Sequence, residues 1–87
     1  MVDSVTPISF LQKYSLRAQV LRIEHLTRQW EHLRLVHTFH LQSIPKVQDP
    51  DIRELYRDIV ASLELAICQY EVLLAELRQS YQAERFL

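Results

Sequence analysis

Glycine is absent from all 87 residues of this chain, and that absence limits the possible folds more than any other feature. An average soluble protein contains about 7% glycine, which would be roughly six residues here. Tight turns with positive φ are costly for this chain, because glycine is the residue that adopts them without strain. Walker-type phosphate loops and dinucleotide fingerprints need glycine for the same reason. The composition therefore excludes nucleotide-handling folds and favours long helices joined by few turns.

The three prolines divide the chain into long segments without helix-breaking residues. Thr6 before Pro7 is a helix-start signal, because a hydroxyl caps free N–H groups and proline is tolerated at the first helical position. Asp49 before Pro50 repeats that signal, and a residue that precedes proline is pushed out of the α region. We predict helices at about 7–42 and 50–83, a tail at 1–6 and an inter-helix loop at 43–49.

Two helices of similar length and a short loop are typical of an antiparallel helical hairpin. A chain of 87 residues has room for one domain, so we predict a single all-α hairpin domain over 1–87. The two predicted helical segments also differ in net charge, which is about +3 over residues 7–42 and −4 over residues 49–85. Exposed ion pairs contribute only ~0–1 kcal/mol each, so this asymmetry would influence orientation more than stability. In size and layout the chain resembles small helical-hairpin adaptors, including co-chaperones of bacterial secretion systems, although no motif residue carries that resemblance.

Each predicted helix has an apolar seam with steps of three and four residues, which is the spacing of one helix face. The first seam runs to Leu41, and the second begins at Ile52 and Leu55. We expect these seams to pack together as the core of the hairpin. The core residues that we predict are Leu16, Ile23, Trp30, Leu33, Ile59, Leu63, Tyr70 and Leu77.

The second helix carries another apolar stripe, at Ala61, Leu65, Cys68, Val72 and Ala75. One hairpin cannot cover both faces of this helix, and a large apolar patch is rarely left in water. The small residues of the stripe repeat every seven positions and would let another helix approach closely. We predict that the stripe is an association interface, foremost in a homodimer that forms a four-helix bundle. A protein partner that supplies further helices is the alternative, and a monomer whose first helix folds back on itself is a third.

The four histidines are the residues that most invite a chemical role. His37 and His40 are three apart and could reach one metal ion, but a zinc site usually needs three or four ligands. We expect these two to be partly hydrated at the bundle end, and His25 and His32 to face solvent. A pH-sensing interface is a further alternative, because histidine titrates near neutrality.

No arrangement in the sequence is typical of a catalytic site. Pairs such as Glu24 with Glu31 lie seven apart on exposed columns, which suits charge pairing better than acid–base catalysis. Cys68 stands in an apolar stripe that offers no cation to activate a thiol. We therefore predict a protein without catalytic, cofactor-binding or metal residues and without a cofactor.

The remaining partner classes are nucleic acid and membranes. The net charge of −1 gives no overall attraction to either. The basic residues of the first helix point in several directions, so a nucleic-acid-binding helical dimer is an alternative and not the main prediction. No apolar run reaches ~18 residues, the first residues do not resemble a signal peptide, and the lone cysteine forms no internal disulfide. We expect a cytoplasmic, non-enzymatic interaction module that acts as an adaptor, regulator or small chaperone.

Overall fold

The structure of the protein, a computed structural model, describes the backbone of residues 5–85 and the side chains of residues 15–85. Two long α-helices dominate it, α1 at Val5–Ser43 and α2 at Pro50–Arg85. A short 3-10 turn at Ile44–Lys46 and three irregular residues join them. Residues 5–85 contain no strand, and the two helices pack against each other, so the all-α hairpin is confirmed.

The helix ends lie within two residues of the predicted ones. α1 begins at Val5, so Pro7 stands within its first turn. Proline is tolerated there because the first N–H groups of a helix have no acceptor within the helix. Of the predicted tail, Val5 and Thr6 are helical and residues 1–4 lie outside the described part. α2 ends at Arg85 and thus continues two residues beyond the predicted end.

The end of α1 is shaped by Pro45. The hydroxyl of Ser43 donates a hydrogen bond of 2.7 Å to the carbonyl of Phe39 in the last α-helical turn. The chain then tightens into the 3-10 turn, because proline disfavours the α conformation in the residue before it. The N–H of Val47 closes this turn with a 3.2 Å hydrogen bond to the carbonyl of Ile44.

The start of α2 is held by Asp49. Its Oδ1 accepts a 2.9 Å hydrogen bond from the N–H of Asp51, which is the geometry of a helix N-cap. Pro50 occupies the first helical position, as the sequence predicts. The guanidinium of Arg53 donates two hydrogen bonds to the carbonyl of Val47, at 3.1 and 2.8 Å. These contacts fix the direction in which α2 leaves the loop.

Contacts between the helices show an antiparallel arrangement. Near the loop, the rings of His40 and Tyr56 meet edge to face with centroids 5.2 Å apart. Farther from it, the hydroxyl of Tyr70 donates a 2.8 Å hydrogen bond to Oε1 of Gln29. Residue numbers therefore fall along α1 as they rise along α2.

The core between the helices is thin. Among the described side chains, only Val60 and Leu74 are buried, at 7% and 3% exposure. Neither residue belongs to the core predicted from the sequence. The predicted core residues are half-buried and lie on the sides of the helices that face each other: Leu16, Ile23, Trp30, Leu33, Ile59, Leu63, Tyr70 and Leu77.

The predicted seams are wrong near the loop, where Leu41, Ile52 and Leu55 are exposed. His40, and not Leu41, continues the contact face of α1. Two successive steps of four residues rotate a seam by about 80° around a helix of 3.6 residues per turn. Alternating steps of three and four keep it on one face, and His40 satisfies that alternation.

Candidate association surface

The five residues of the second apolar stripe all lie on the outside of α2. Val60 and Leu74 mark the side of α2 that faces α1, and the stripe residues are exposed on the opposite side. Leu65 is 63% and Val72 is 60% exposed, although both are large apolar side chains. We call this surface, made by Ala61, Leu65, Cys68, Val72 and Ala75, the outer stripe. The hairpin itself leaves it uncovered.

The surface shape of the outer stripe follows from the sizes of its residues. Small side chains at Ala61, Cys68 and Ala75 alternate with the larger Leu65 and Val72. Around Cys68 and Val72 the surface has an open depression of about 300 Å³. A ridge of large residues between hollows is the shape into which side chains of another helix pack.

Acidic residues border the outer stripe. Between Ile59 and Leu77 the chain has no lysine, arginine or histidine, whereas Glu64, Glu71 and Glu76 all fall in that segment. Glu71 and Glu76 are exposed and make no salt bridge within the described part of the chain. Glu64 is hydrogen-bonded to His37, with 3.1 Å between Oε1 and Nε2. The first basic residue after this segment is Arg78, at the end of the stripe farther from the loop.

Three exposed apolar residues belong to the helix turns near the loop. Phe39, Ile52 and Leu55 are exposed by 63%, 44% and 55%. The ring of Phe39 meets that of His40 at 5.4 Å between centroids. We call these three residues the loop-end cluster. It belongs to a different part of the molecule from the outer stripe, whose nearest member in sequence is Ala61.

Trp30 is the largest residue of the predicted core and has an unusual environment. The guanidinium of Arg34 lies over its ring, 4.9 Å from the centroid, which is the geometry of a cation–π contact. Its indole Nε1 is buried and has no hydrogen-bond partner among the described residues. A buried donor without an acceptor costs about 1–3 kcal/mol. Trp30 therefore stabilises the hairpin by burial at the expense of one unsatisfied N–H.

The histidines occupy two environments. His25 and His32 are exposed and line an open depression of about 390 Å³ beside Tyr70. His37 and His40 are half-buried, and Nδ1 of His40 lies 2.8 Å from the carbonyl oxygen of Val36. No group of three or more histidine, cysteine, aspartate or glutamate side chains within residues 15–85 is arranged to hold a metal ion.

Arginines on α1 are spread around the helix. Arg17, Arg22, Arg28 and Arg34 are all exposed and make no salt bridge within the described residues. Among the described residues, the charges of these four arginines thus act on α2 at a distance and not through direct pairs with its carboxylates. Within the described residues, no helix is long and apolar enough to cross a membrane.

No protein-family model matches the sequence, and comparisons with curated proteins and with solved structures find no match. The exposed surfaces of the hairpin are therefore the basis for a proposal about function.

Proposed function

We propose that this protein is a non-enzymatic protein–protein interaction module, an adaptor, regulator or small chaperone, that acts by burying the outer stripe of α2 against another helix. The observation that carries the proposal is the exposure of Leu65 and Val72 in the middle of that stripe. Complete burial of a side chain of this size contributes about 1.5–3 kcal/mol. Most of that free energy is still available at these two residues.

The available free energy also limits the strength of the complex. Association costs an estimated 4–15 kcal/mol in lost translational and rotational freedom. A stripe with two large side chains offsets this cost only when the other side contributes a similar surface. The assembly that the sequence suggests, a homodimer of four helices, meets this condition, because each copy supplies one outer stripe. Since the stripe lies opposite α1, such a dimer has both α2 helices at its centre and both α1 helices outside. A protein that brings its own apolar helix meets the condition as well.

Site-specific photo-crosslinking in the cells that make the protein tests this proposal. A benzophenone amino acid replaces Leu65 in one variant and Glu31, exposed on α1, in the control. We expect a discrete crosslinked species from position 65 that the control at position 31 does not give. An adduct of twice the chain mass identifies a second copy, and any other discrete mass identifies a different partner. The proposal is wrong if position 65 gives no adduct, or only the same adducts as position 31.

A further inference from the structure

The outer stripe alternates small and large residues in a way that matches its own reversed sequence. Read in either direction, it gives small, large, small, large, small, from Ala61 to Ala75. When two such helices lie antiparallel and are displaced by one step of this pattern, each large side chain of one falls on a small residue of the other, and Ala61 faces Gln79. Two copies placed in this way therefore fill the hollows at Cys68 and Ala75 with Val72 and Leu65 of the other copy, which close helix packing requires.

We infer that the occupant of the outer stripe is a second copy of this chain, with α2 antiparallel to α2 and Leu65 over Ala75 of the second copy. In this register Cys68 packs beside Val72 of the second copy. Because the contact is two-fold symmetric, each pairing occurs twice. The symmetry axis crosses the interface level with residue 70 along α2. This inference rests on the proposed function and specifies its partner.

The charged side chains beside the outer stripe favour this register over the alternative register that is most similar to it. Of the two shifts by one heptad, one places Leu65 over the polar Gln82 of the second copy and buries less apolar surface. The other places Leu65 over Cys68 of the second copy, with similar apolar burial. That shift brings Glu64 beside Glu71 and Arg57 beside Arg78 of the second copy, so that like charges meet. The inferred register instead brings Glu64 beside Arg78, twice. Its unfavourable pairs are Glu71 with its own symmetry mate at the axis and, at the two ends, Arg57 beside Arg85 of the second copy.

A parallel arrangement of the two α2 helices fits the alternation of small and large residues in the outer stripe less well. It would set Leu65 against Leu65 and Cys68 against Cys68, so that large residues hold the helices apart where small residues meet. The hollows at Ala61, Cys68 and Ala75 would then stay unfilled. Voids of this kind lose packing contacts on every residue that lines them.

Oxidative crosslinking of the purified full chain tests the register. Val72→Cys places a thiol beside Cys68 of the second copy, and we expect a covalent dimer to form rapidly on mild oxidation. Leu65→Cys reports the competing register, and the wild type, with Cys68 alone, reports the parallel one. In the inferred register, the two wild-type cysteines are offset by four residues along the axis. That offset, about 6 Å in addition to the helix separation, exceeds the reach of a disulfide.

We expect Val72→Cys to form covalent dimer at least several-fold faster than either Leu65→Cys or the wild type. Equal or faster crosslinking of Leu65→Cys or of the wild type would overturn the inferred register.

Light scattering should show a concentration-dependent dimer for the wild type and only monomer for Leu65→Glu. Leu35→Glu is the matched control, since Leu35 is 71% exposed on α1, outside the outer stripe, and should still dimerise.

A charge exchange gives an independent readout. Arg78→Glu should weaken the dimer roughly tenfold, because it converts two attractive pairs into two repulsive ones. Adding Glu64→Arg should restore most of the affinity. If the double variant is no tighter than Arg78→Glu alone, the pairing of Glu64 with Arg78 is wrong.

A purified chain that stays monomeric up to millimolar concentration overturns the inference as a whole. The proposed function would still hold if position 65 gives an adduct of another mass in cells, and it would fail too if no adduct forms.

Discussion

Two leucines of α2, nine positions apart, show how differently the same side chain is used in this molecule. Leu74 is 3% exposed and packs against α1, whereas Leu65 is 63% exposed on the outer stripe. Both belong to a helix that is apolar on most of its circumference. Their roles are set by which side of α2 meets α1, and not by residue type. Leu74 contributes to folding of the hairpin, and Leu65 is available for association.

Truncation of these leucines should separate the two roles. We expect Leu74→Ala to lower the free energy of unfolding by about 2–5 kcal/mol, because it removes buried methyl groups and leaves a cavity. Leu65→Ala should cost less than about 1 kcal/mol when measured at concentrations where the wild type is monomeric. Urea denaturation followed by circular dichroism measures both values. Equal losses for the two variants would contradict the assignment of Leu74 to the core.

Individual elements depend on a few residues at the loop. Asp49 caps α2 with a 2.9 Å hydrogen bond to the N–H of Asp51, and Arg53 returns two hydrogen bonds to Val47. A chain without glycine has few ways to reverse direction, so it relies on proline and on side-chain caps. Hydrogen bonds thus help to fix the junction between α1 and α2.

Removal of the cap should weaken α2 measurably. We expect Asp49→Ala to lower the free energy of unfolding by about 1 kcal/mol, because the N–H of Asp51 loses its acceptor. Asp49→Asn keeps an oxygen acceptor and should retain most of the stability. Gln48→Ala changes the exposed neighbouring residue and serves as the control. Thermal unfolding of the three variants at one protein concentration gives the comparison. A loss in Gln48→Ala as large as that in Asp49→Ala would argue against the cap.

The sequence predicts well where each helix begins and ends. It predicts less well which face of each helix packs against the other helix. Proline positions and the Asp49 cap signal define both helices to within two residues, because these effects are local. Val60 and Leu74 were missed because α2 presents several adjacent apolar columns, and packing against α1 decides which column is central. The exposure of Leu41 has a similar cause, since a rotation of 80° separates it from the contact face. The apolar composition of the outer stripe is readable from the sequence, but its position opposite α1 depends on which face of α2 packs against α1.

The whole molecule is a rod. Its Cα trace measures 75 × 15 × 14 Å and has a radius of gyration of 20.4 Å. A compact domain of this length would have a radius of gyration of about 12 Å. Two helices side by side bury little surface per residue, so the isolated hairpin has a narrow stability margin. The inferred dimer would add a second layer to this core, and its stability would then rise with protein concentration.

Solution scattering should distinguish the inferred dimer from other assemblies by shape. Because the inferred two-fold axis, level with residue 70, lies close to the middle of the rod, two antiparallel hairpins would overlap along almost their whole length. With roughly 9 Å between neighbouring helix axes, the radius of gyration should rise only to about 23 Å while the mass doubles. A dimer joined end to end through Phe39, Ile52 and Leu55 of the loop-end cluster would instead reach about 40 Å, as expected for two 75 Å rods in line. Small-angle X-ray scattering across a concentration series measures both mass and radius of gyration. A doubled mass with a radius of gyration of about 40 Å would show that the interface lies at the loop end. The outer stripe would then have no role in self-association.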